Sequence, residues 1–215
     1  MGAKTWMLVY ADQDARSALS PQARLDRDRT IKFARMLFAG ETLTPTEDGT
    51  LLDVSPPDDE IVIGCFPGVT VVAAKEFAVD RPSTLARRYI DAGGRGQVTL
   101  HAMHSVVDWV AFARWSDGKL SRSLSLSPES GVVEDIGAKL PFEQAFWAGE
   151  HPAVDPEEDE QYPLPFHPLE LGEAALNALF GFELEGQMMS TLFDPEAVPL
   201  MRFRRSKARP WWRVW

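Results

Sequence analysis

The chain has 215 residues, of which 45% are hydrophobic and 25% are charged, and its formal net charge is −10. This length and composition are typical of one globular domain that buries its own core without disulfide bonds. The single cysteine, Cys65, excludes an intramolecular disulfide and the zinc sites that are built from cysteine pairs.

The N-terminal segment MGAKTWMLVYADQD predicts a strand over residues 4–10. Its apolar run is too short for a secretion signal and is followed at once by Asp12 and Asp14. No stretch of the sequence approaches the roughly 18 apolar residues of a membrane span. We therefore expect a cytoplasmic protein.

The next segments alternate between helical and extended patterns. Apolar residues at helical spacing predict an amphipathic helix over residues 26–38. Two apolar runs separated by a Pro-Gly turn predict strands over 60–66 and 69–77. A second helix is expected over 84–92, with Ser83 as its N-cap.

The clearest local signal is Asp117-Gly118, which lies between alternating segments at 106–115 and 120–127. Asp-Gly favours a two-residue hairpin turn because both positions then need a positive φ. If these are the loop residues, the cross-strand pairing is fixed. The predicted pairs are Trp109 with Leu126, Ala111 with Leu124, Ala113 with Arg122, Trp115 with Leu120, Phe112 with Ser123, and Arg114 with Ser121.

Arg122 is unusual in this pairing because it falls on the leucine-bearing face of the hairpin. A cation there needs a carboxylate or an aromatic ring as its partner. One interpretation is that Arg122 stacks at the edge of the hairpin, diagonal to Trp115. The alternative is an anion-binding site that faces a cleft.

These elements predict a single α+β domain over residues 1–186. We expect a mainly antiparallel sheet with a central Asp-Gly hairpin, packed by two or three helices, the last of them over 168–180. The chain after the hairpin is rich in proline and glycine and predicts irregular structure, with a solvated acidic loop at 155–160. Residues 187–215 are predicted to be a C-terminal extension.

Two histidines, His101 and His104, lie in a segment that reads as strand. Residues three apart on a strand face opposite sides of the sheet, so a shared site would require a bulge near Ser105. The simpler interpretation places one histidine in the core and the other at the surface. We therefore predict no metal site, and no motif predicts a cofactor.

An enzymatic hypothesis centres on His104 and Asp108, with Glu134, Asp135 and His151 as further catalytic candidates. A histidine, a serine and an aspartate occur together at residues 104–108, but the glycine-flanked elbow of a hydrolase is missing. Adjacent acids at 134 and 135 diverge on a strand. A hydrolase or metal-dependent enzyme would require these side chains to converge in one pocket.

The C-terminus is the most unusual segment. Residues 202–215 hold six of the 22 cations and none of the 32 acids, which leaves 16 cations against 32 acids in the body. A body this acidic repels phosphates, so we expect no nucleic acid partner. The predicted partner-binding residues are Arg204, Arg205, Lys207, Arg209, Trp211, Trp212, Arg213 and Trp215.

Three interpretations of this basic, tryptophan-rich tail remain open. The tail could fold back on the acidic body, where its charge finds complement. It could dock to another protein, since tryptophan and arginine dominate binding hot spots. It could also attach to an anionic membrane surface, where tryptophan prefers the interface and cations are attracted.

Six sequence blocks also resemble a known family. The blocks are MGAKTWMLVYAD (1–12), GCFPGV (64–69), LHAMHSVVDW (100–109), RSLSLSPESGVVEDIG (122–137), FWAGEHP (146–152) and YPLPFHPLELGEAALNALFGFELEG (162–186). Together they resemble an uncharacterised domain-of-unknown-function family of high-GC Gram-positive bacteria. The resemblance covers most of residues 1–186 and implies a cytosolic bacterial protein, with no catalytic residues to assign.

The sequence thus predicts a non-catalytic interaction or accessory protein that docks to a larger assembly through its Arg/Trp tail. One alternative is the hydrolase or metal-dependent enzyme of the His104/Asp108 region. A second alternative is a peripheral membrane protein that binds through the tail.

Overall fold

The computed structural model describes residues 2–12, 14–154, 162–185 and 193–207. Within these residues the chain forms ten strands and five α-helices, joined by turns and short 3-10 segments. The strands are β1 (Lys4–Ala11), β2 (Glu41–Pro45), β3 (Gly49–Thr50), β4 (Glu60–Phe66), β5 (Val69–Ala73), β6 (Gln97–His104), β7 (Trp109–Ser116), β8 (Lys119–Ser127), β9 (Gly131–Gly137) and β10 (Pro199–Lys207). The helices are α1 (Ala15–Ala18), α2 (Arg27–Leu37), α3 (Arg87–Asp91), α4 (Glu143–Trp147) and α5 (Pro168–Phe180).

One antiparallel sheet organises the molecule. Its order is β2-β10-β4-β5-β1-β6-β7-β8-β9, and β3 adds to β10. The predicted single α+β domain with a mainly antiparallel sheet is confirmed. Five helices were found in the described residues where two or three were expected, but α1, α3 and α4 have only four or five residues each.

Side chains alternate between the two faces of the sheet, and each face is covered by helices. One face buries Leu8, Ile63 and Leu100 against α2 and α3. The other buries Val9 and Met103 against α5, and this apolar layer continues over β7 and β8. Strands covered on both faces read as nearly continuous apolar runs, as β1, β4 and β5 do.

β10 corrects the predicted domain boundary. It lies between β2 and β4, with Phe203 opposite both Pro45 and Ile61. Residues 199–207 are therefore an interior strand and not part of an extension after residue 186. The cations at positions 202, 204 and 205 conceal the strand pattern in the sequence. Arg209, Trp211, Trp212, Arg213 and Trp215 lie outside the described residues.

β7 and β8 pair in a register that shifts at a bulge between Trp115 and Arg114. Asp117 and Gly118 connect them with φ of 51° and 71°. Trp115 pairs with Leu120, but the register then shifts. The other predicted pairs are wrong, because alternation alone cannot reveal an extra residue in one strand. The observed pairs include Phe112 with Leu124, Ala113 with Ser123, and Arg114 with Arg122, and the two strands lie toward one edge of the sheet rather than at its centre.

The helix and strand boundaries agree with the sequence in some places and differ in others. α2 begins after Asp26, whose carboxylate accepts from the Arg29 backbone N–H. α5 spans the predicted 168–180 and ends at Gly181, which has the left-handed conformation. Ser83 does not cap α3, since it lies in the 3-10 turn Pro82–Thr84.

β9 occupies sequence that was predicted to be irregular, and its partner explains why it forms. Six of its seven residues pair with β8 along the outer edge of the sheet. The predicted acidic loop at 155–160 lies outside the described residues. Among the residues that the structure describes, no helix is both long and apolar enough to cross a membrane.

Candidate functional site

His101 is a core residue that ties β6 to α5. Its Nε2 lies 3.0 Å from the carbonyl oxygen of Gly172, and its Nδ1 lies 2.7 Å from the Thr5 hydroxyl. Because a carbonyl only accepts, Nε2 carries the proton and Nδ1 accepts from Thr5. Burial lowers the pKa of His101 to about 4. The ring is therefore neutral, fully hydrogen-bonded and enclosed.

His104 lies on the opposite face of β6, as the strand spacing predicts. Its ring centroid is 5.6 Å from that of Trp6, and its Nδ1 accepts from the Val106 backbone N–H. Partial burial, followed by the charges of Lys4 and Lys75, lowers the pKa of His104 below its usual value. Among the residues that the structure describes, no three His, Cys, Asp or Glu side chains are placed to hold a metal ion.

Asp108 does not join His104. It lies in the turn between β6 and β7 with φ of 45°, and its carboxylate is 3.8 Å from His167 Nε2. His167 is the N-cap of α5 and stacks on Tyr162. The two central residues of the enzymatic hypothesis therefore have different partners, since His104 contacts Trp6 of β1 and Asp108 lies beside His167 at the start of α5.

Glu134 is held by serines. It accepts hydrogen bonds from the Ser83 backbone N–H at 3.0 Å, from the Ser83 hydroxyl at 2.5 Å and from the Ser123 hydroxyl. Burial alone would raise the pKa of Glu134, but these hydrogen bonds outweigh it and lower the pKa below its usual value. A carboxylate stabilised in this way is a poor general base, and its evident role is to attach the 3-10 turn at Ser83 to β8 and β9.

Asp135 diverges from Glu134, as expected for neighbours on a strand, and is the exposed member of an ion-pair cluster whose centre is buried. The Arg122 side chain is only 1% exposed. Its Nε and Nη2 donate to the two oxygens of Glu143 at 2.9 and 2.5 Å. Its Nη1 donates to Asp135 and to the carbonyl oxygen of Ile136.

This cluster supports neither of the two interpretations of Arg122. Its donors are occupied by protein carboxylates and carbonyls, so none is directed at a cleft as an anion site requires. The predicted stacking at the hairpin edge is also wrong. The partner is the carboxylate of Glu143, which lies in α4 and is itself fully buried.

His151 lies apart from the other candidates. Its ring stacks on Phe146 of α4, with 4.4 Å between ring centroids. The five candidate catalytic residues thus occupy separate places and do not share one pocket. The convergence that the enzymatic hypothesis requires is absent from the described part of the chain.

A groove on the α2 and α3 side of the sheet is lined in part by His104. We call it the tryptophan groove, and its volume is about 290 Å³. The Lys75 ammonium lies 4.2 Å from the centroid of the Trp6 ring, and the Trp109 indole N–H donates to Ser125. Its principal lining residues are Trp6, Lys75, Asp80, His104, Trp109 and Glu129.

A second depression, the acidic well, adjoins the tryptophan groove through Lys75. Its volume is about 460 Å³, and its lining residues are Glu41, Asp58, Asp59, Lys75, Glu76 and Arg205. Arg205 makes paired hydrogen bonds of 2.5–2.8 Å to both Glu41 and Glu76. The bonds to Glu41 contribute most to raising the pKa of Arg205 above its ordinary value.

The predicted partner-binding cations on β10 therefore divide into two kinds. Arg205 is hydrogen-bonded to carboxylates of the folded domain. Arg202 of the same strand donates hydrogen bonds to Asp53 and Glu60 at 2.7 and 2.9 Å. Arg204 is exposed. Lys207 pairs with Glu41 in the sheet register.

Sequence reasoning missed both depressions and the role of Glu143. The alternation of Trp6, Leu8 and Tyr10 indicates that they share a face. Nothing local brings Lys75 or Trp109 beside Trp6, since their proximity depends on the pairing of β1 with β5 and β6.

The comparison with protein families covers nearly the whole chain. The model of a family of unknown function (DUF6928) matches residues 5–203. The chain belongs to this family. The predicted resemblance to an uncharacterised family is therefore confirmed, and the match extends past residue 186 into β10. No curated protein and no solved structure matches the chain.

Proposed function

We propose that the protein is a non-catalytic interaction protein that docks to a partner protein with residues 208–215, here called the docking segment. The proposal includes a cytosolic location in a high-GC Gram-positive bacterium. The docking segment reads ARPWWRVW. Its arginines and tryptophans are the residue types that contribute most to binding at protein interfaces.

The observation that carries this proposal is the way β10 leads into the segment. Arg202 and Arg205 are neutralised by four carboxylates of the body, while Arg204 is exposed. The basic run of the sequence is thus partly structural and partly available. The pairing of β10 with β2 also fixes the point from which the segment begins.

The places of the catalytic candidates support the non-catalytic part of the proposal. Glu134 and Asp135 are engaged in structural hydrogen bonds and ion pairs. His104 contacts Trp6 of β1, whereas Asp108 lies beside His167 at the start of α5. A general base needs a free lone pair within reach of a substrate proton, and both oxygens of Glu134 already accept hydrogen bonds from Ser83 and Ser123.

Affinity capture from a native lysate tests the proposal, with the full chain compared with a chain ended at Lys207. This end point retains β10, whereas a chain ended before residue 202 would lose most of it. We expect a partner protein to be recovered by the full chain and lost on truncation. Recovery of the same partner by both chains would contradict the proposal.

Two variants identify the chemistry of docking. Trp211→Ala/Trp212→Ala/Trp215→Ala removes the aromatic area and keeps the charge, and we expect it to abolish recovery. Arg209→Lys/Arg213→Lys keeps the charge but loses bidentate hydrogen bonding, and we expect it to weaken recovery of a protein. Binding to phosphatidylglycerol vesicles, retained by the lysine variant and replacing protein recovery, would instead assign the segment to a membrane surface.

A further inference from the structure

The acidic well and the tryptophan groove are neighbouring depressions. They share Lys75, and together they present six carboxylates against two cations. The carboxylates are Glu41, Asp58, Asp59, Glu76, Asp80 and Glu129. A surface of this kind, acidic at one end and aromatic at the other, complements a basic peptide that contains tryptophan.

The docking segment begins beside this surface. Lys207, the last described residue, pairs with Glu41, which lines the acidic well. One row of paired residues crosses the four adjacent strands β10, β4, β5 and β1. It consists of Arg202, Val62, Ala73 and Met7. β10 runs antiparallel to β4, whereas β1 runs parallel to β4. The last residues of β10 and the first residues of β1 therefore lie at the same end of the sheet.

The distance can be spanned by the segment. β10 and β1 are separated by three strand spacings of about 4.8 Å each. Along the strand direction, Lys207 lies about four residues past the position of Trp6, and each residue adds about 3.4 Å. The direct separation of the two backbones is therefore about 20 Å. Eight extended residues reach about 27 Å.

We propose that the docking segment lies on the acidic well and tryptophan groove of its own chain, and that a partner protein displaces it. This inference rests on the proposed function. The arginines of the segment face the exposed carboxylates of Asp58 and Asp59, and its tryptophans contact the groove. Because the segment is tethered, its effective concentration is of millimolar order, so a weak contact suffices.

A labelled synthetic peptide of residues 208–215 tests the inference by fluorescence anisotropy. We expect it to bind the chain ended at Lys207 and to bind the full chain at least tenfold more weakly, since the tethered copy occupies the site. Light scattering should show that the full chain is a monomer.

Two pairs of variants in the chain ended at Lys207 locate the site. Val107 lines the groove and is 53% exposed, whereas its neighbour Val106 is 76% exposed and does not line it. Val107→Lys should weaken peptide binding at least tenfold, and Val106→Lys should leave it within twofold. Asp58→Lys/Asp59→Lys should likewise weaken it tenfold, and the control Asp28→Lys/Glu47→Lys, which reverses two exposed acids elsewhere, should weaken it less than threefold.

The outcomes separate this inference from the proposed function. Equal binding of the peptide to both chains, or no binding to either, would overturn the inference. A dimer of the full chain that disappears on truncation would assign the segment to a second copy and would also overturn it. Partner capture by the full chain is measured independently, so the docking function stands or fails on its own result.

Discussion

Two regions of the molecule contain clusters of charged residues, and they differ in how completely the charges are paired. At the corner of β8, β9 and α4, Arg122 and Glu143 are 1% and 0% exposed and bind each other through two hydrogen bonds. On the opposite face, the acidic well and tryptophan groove leave Asp58, Asp59 and Glu129 exposed beside open volume.

The contrast shows that residue type alone does not distinguish a structural cluster from a binding surface. Arginine, aspartate and glutamate occur in both regions. At the corner, the charged side chains bind one another within the same chain. Buried charges without partners would be strongly destabilising. The open surface keeps several carboxylates in water, where they remain available to another molecule.

The largest effect is expected from removing β10. A chain ended at Met201 loses the strand segment that separates β2 from β4, and it exposes Ile61 and other buried residues. We expect this chain to lack a cooperative unfolding transition by circular dichroism. The chain ended at Lys207 should retain one, and a native-like transition of the Met201 form would show that residues 202–207 are dispensable for the sheet.

The next largest effect is expected at the corner of β8, β9 and α4. Arg122→Met leaves Glu143 buried without a counter-charge, which should lower the free energy of unfolding by about 3–5 kcal/mol. Arg122→Met/Glu143→Leu removes both charges and should recover most of that loss. Urea denaturation of the two variants measures the difference. A double variant as unstable as the single one would contradict this account of the corner.

A smaller loss of stability is expected when a glutamate is replaced by glutamine, and one glutamate from each region can be compared. Glu134→Gln weakens charge-assisted hydrogen bonds from Ser83 and Ser123, and it should lower the free energy of unfolding by about 1–3 kcal/mol. Glu129→Gln, at an exposed position of the groove, should change it by less than about 0.5 kcal/mol. Equal losses in denaturation experiments would remove the distinction between the two regions.

The last effect depends on pH and is expected for Glu173 of α5, which is partly buried. Burial raises the pKa of Glu173 from 4.5 to about 7, although hydrogen bonds from the backbones of Leu184 and Glu185 oppose this. The fold therefore favours the protonated form, and its contribution to stability is lost as the pH rises from about 4.5 to about 7. Glu173→Gln should raise the melting temperature at pH 8 by more than at pH 4, and a pH-independent difference would contradict this assignment.

Much of the fold could be predicted because its signals are local. α5 has a helical apolar stripe, a proline in its first turn and a glycine at its end, and its predicted bounds agree with the structure. The separation of His101 from His104 follows from the period of a strand. The bulge in β8 left no local signal, so the pairing beyond Trp115 was wrong.

The features that define the candidate site depend on long-range pairing, and this is why the sequence did not reveal them. Arg122 finds Glu143 only because α4 packs beneath β8. In the linear sequence, β10 resembles a basic tail. In the folded sheet, its arginines lie beside four carboxylates, those of Asp53, Glu60, Glu41 and Glu76. Charges that are paired across the sheet cannot be distinguished from free ones in a linear sequence.

The most direct test of the central claim asks whether the docking segment is sufficient for binding. Residues 208–215 would be fused to an inert carrier protein and compared, by affinity capture from the same lysate, with a carrier that bears the same eight residues in scrambled order. The account predicts that the native order alone recovers the partner captured by the full chain. A carrier that recovers nothing, while the chain ended at Lys207 still captures that partner, would place binding on the body and contradict the account.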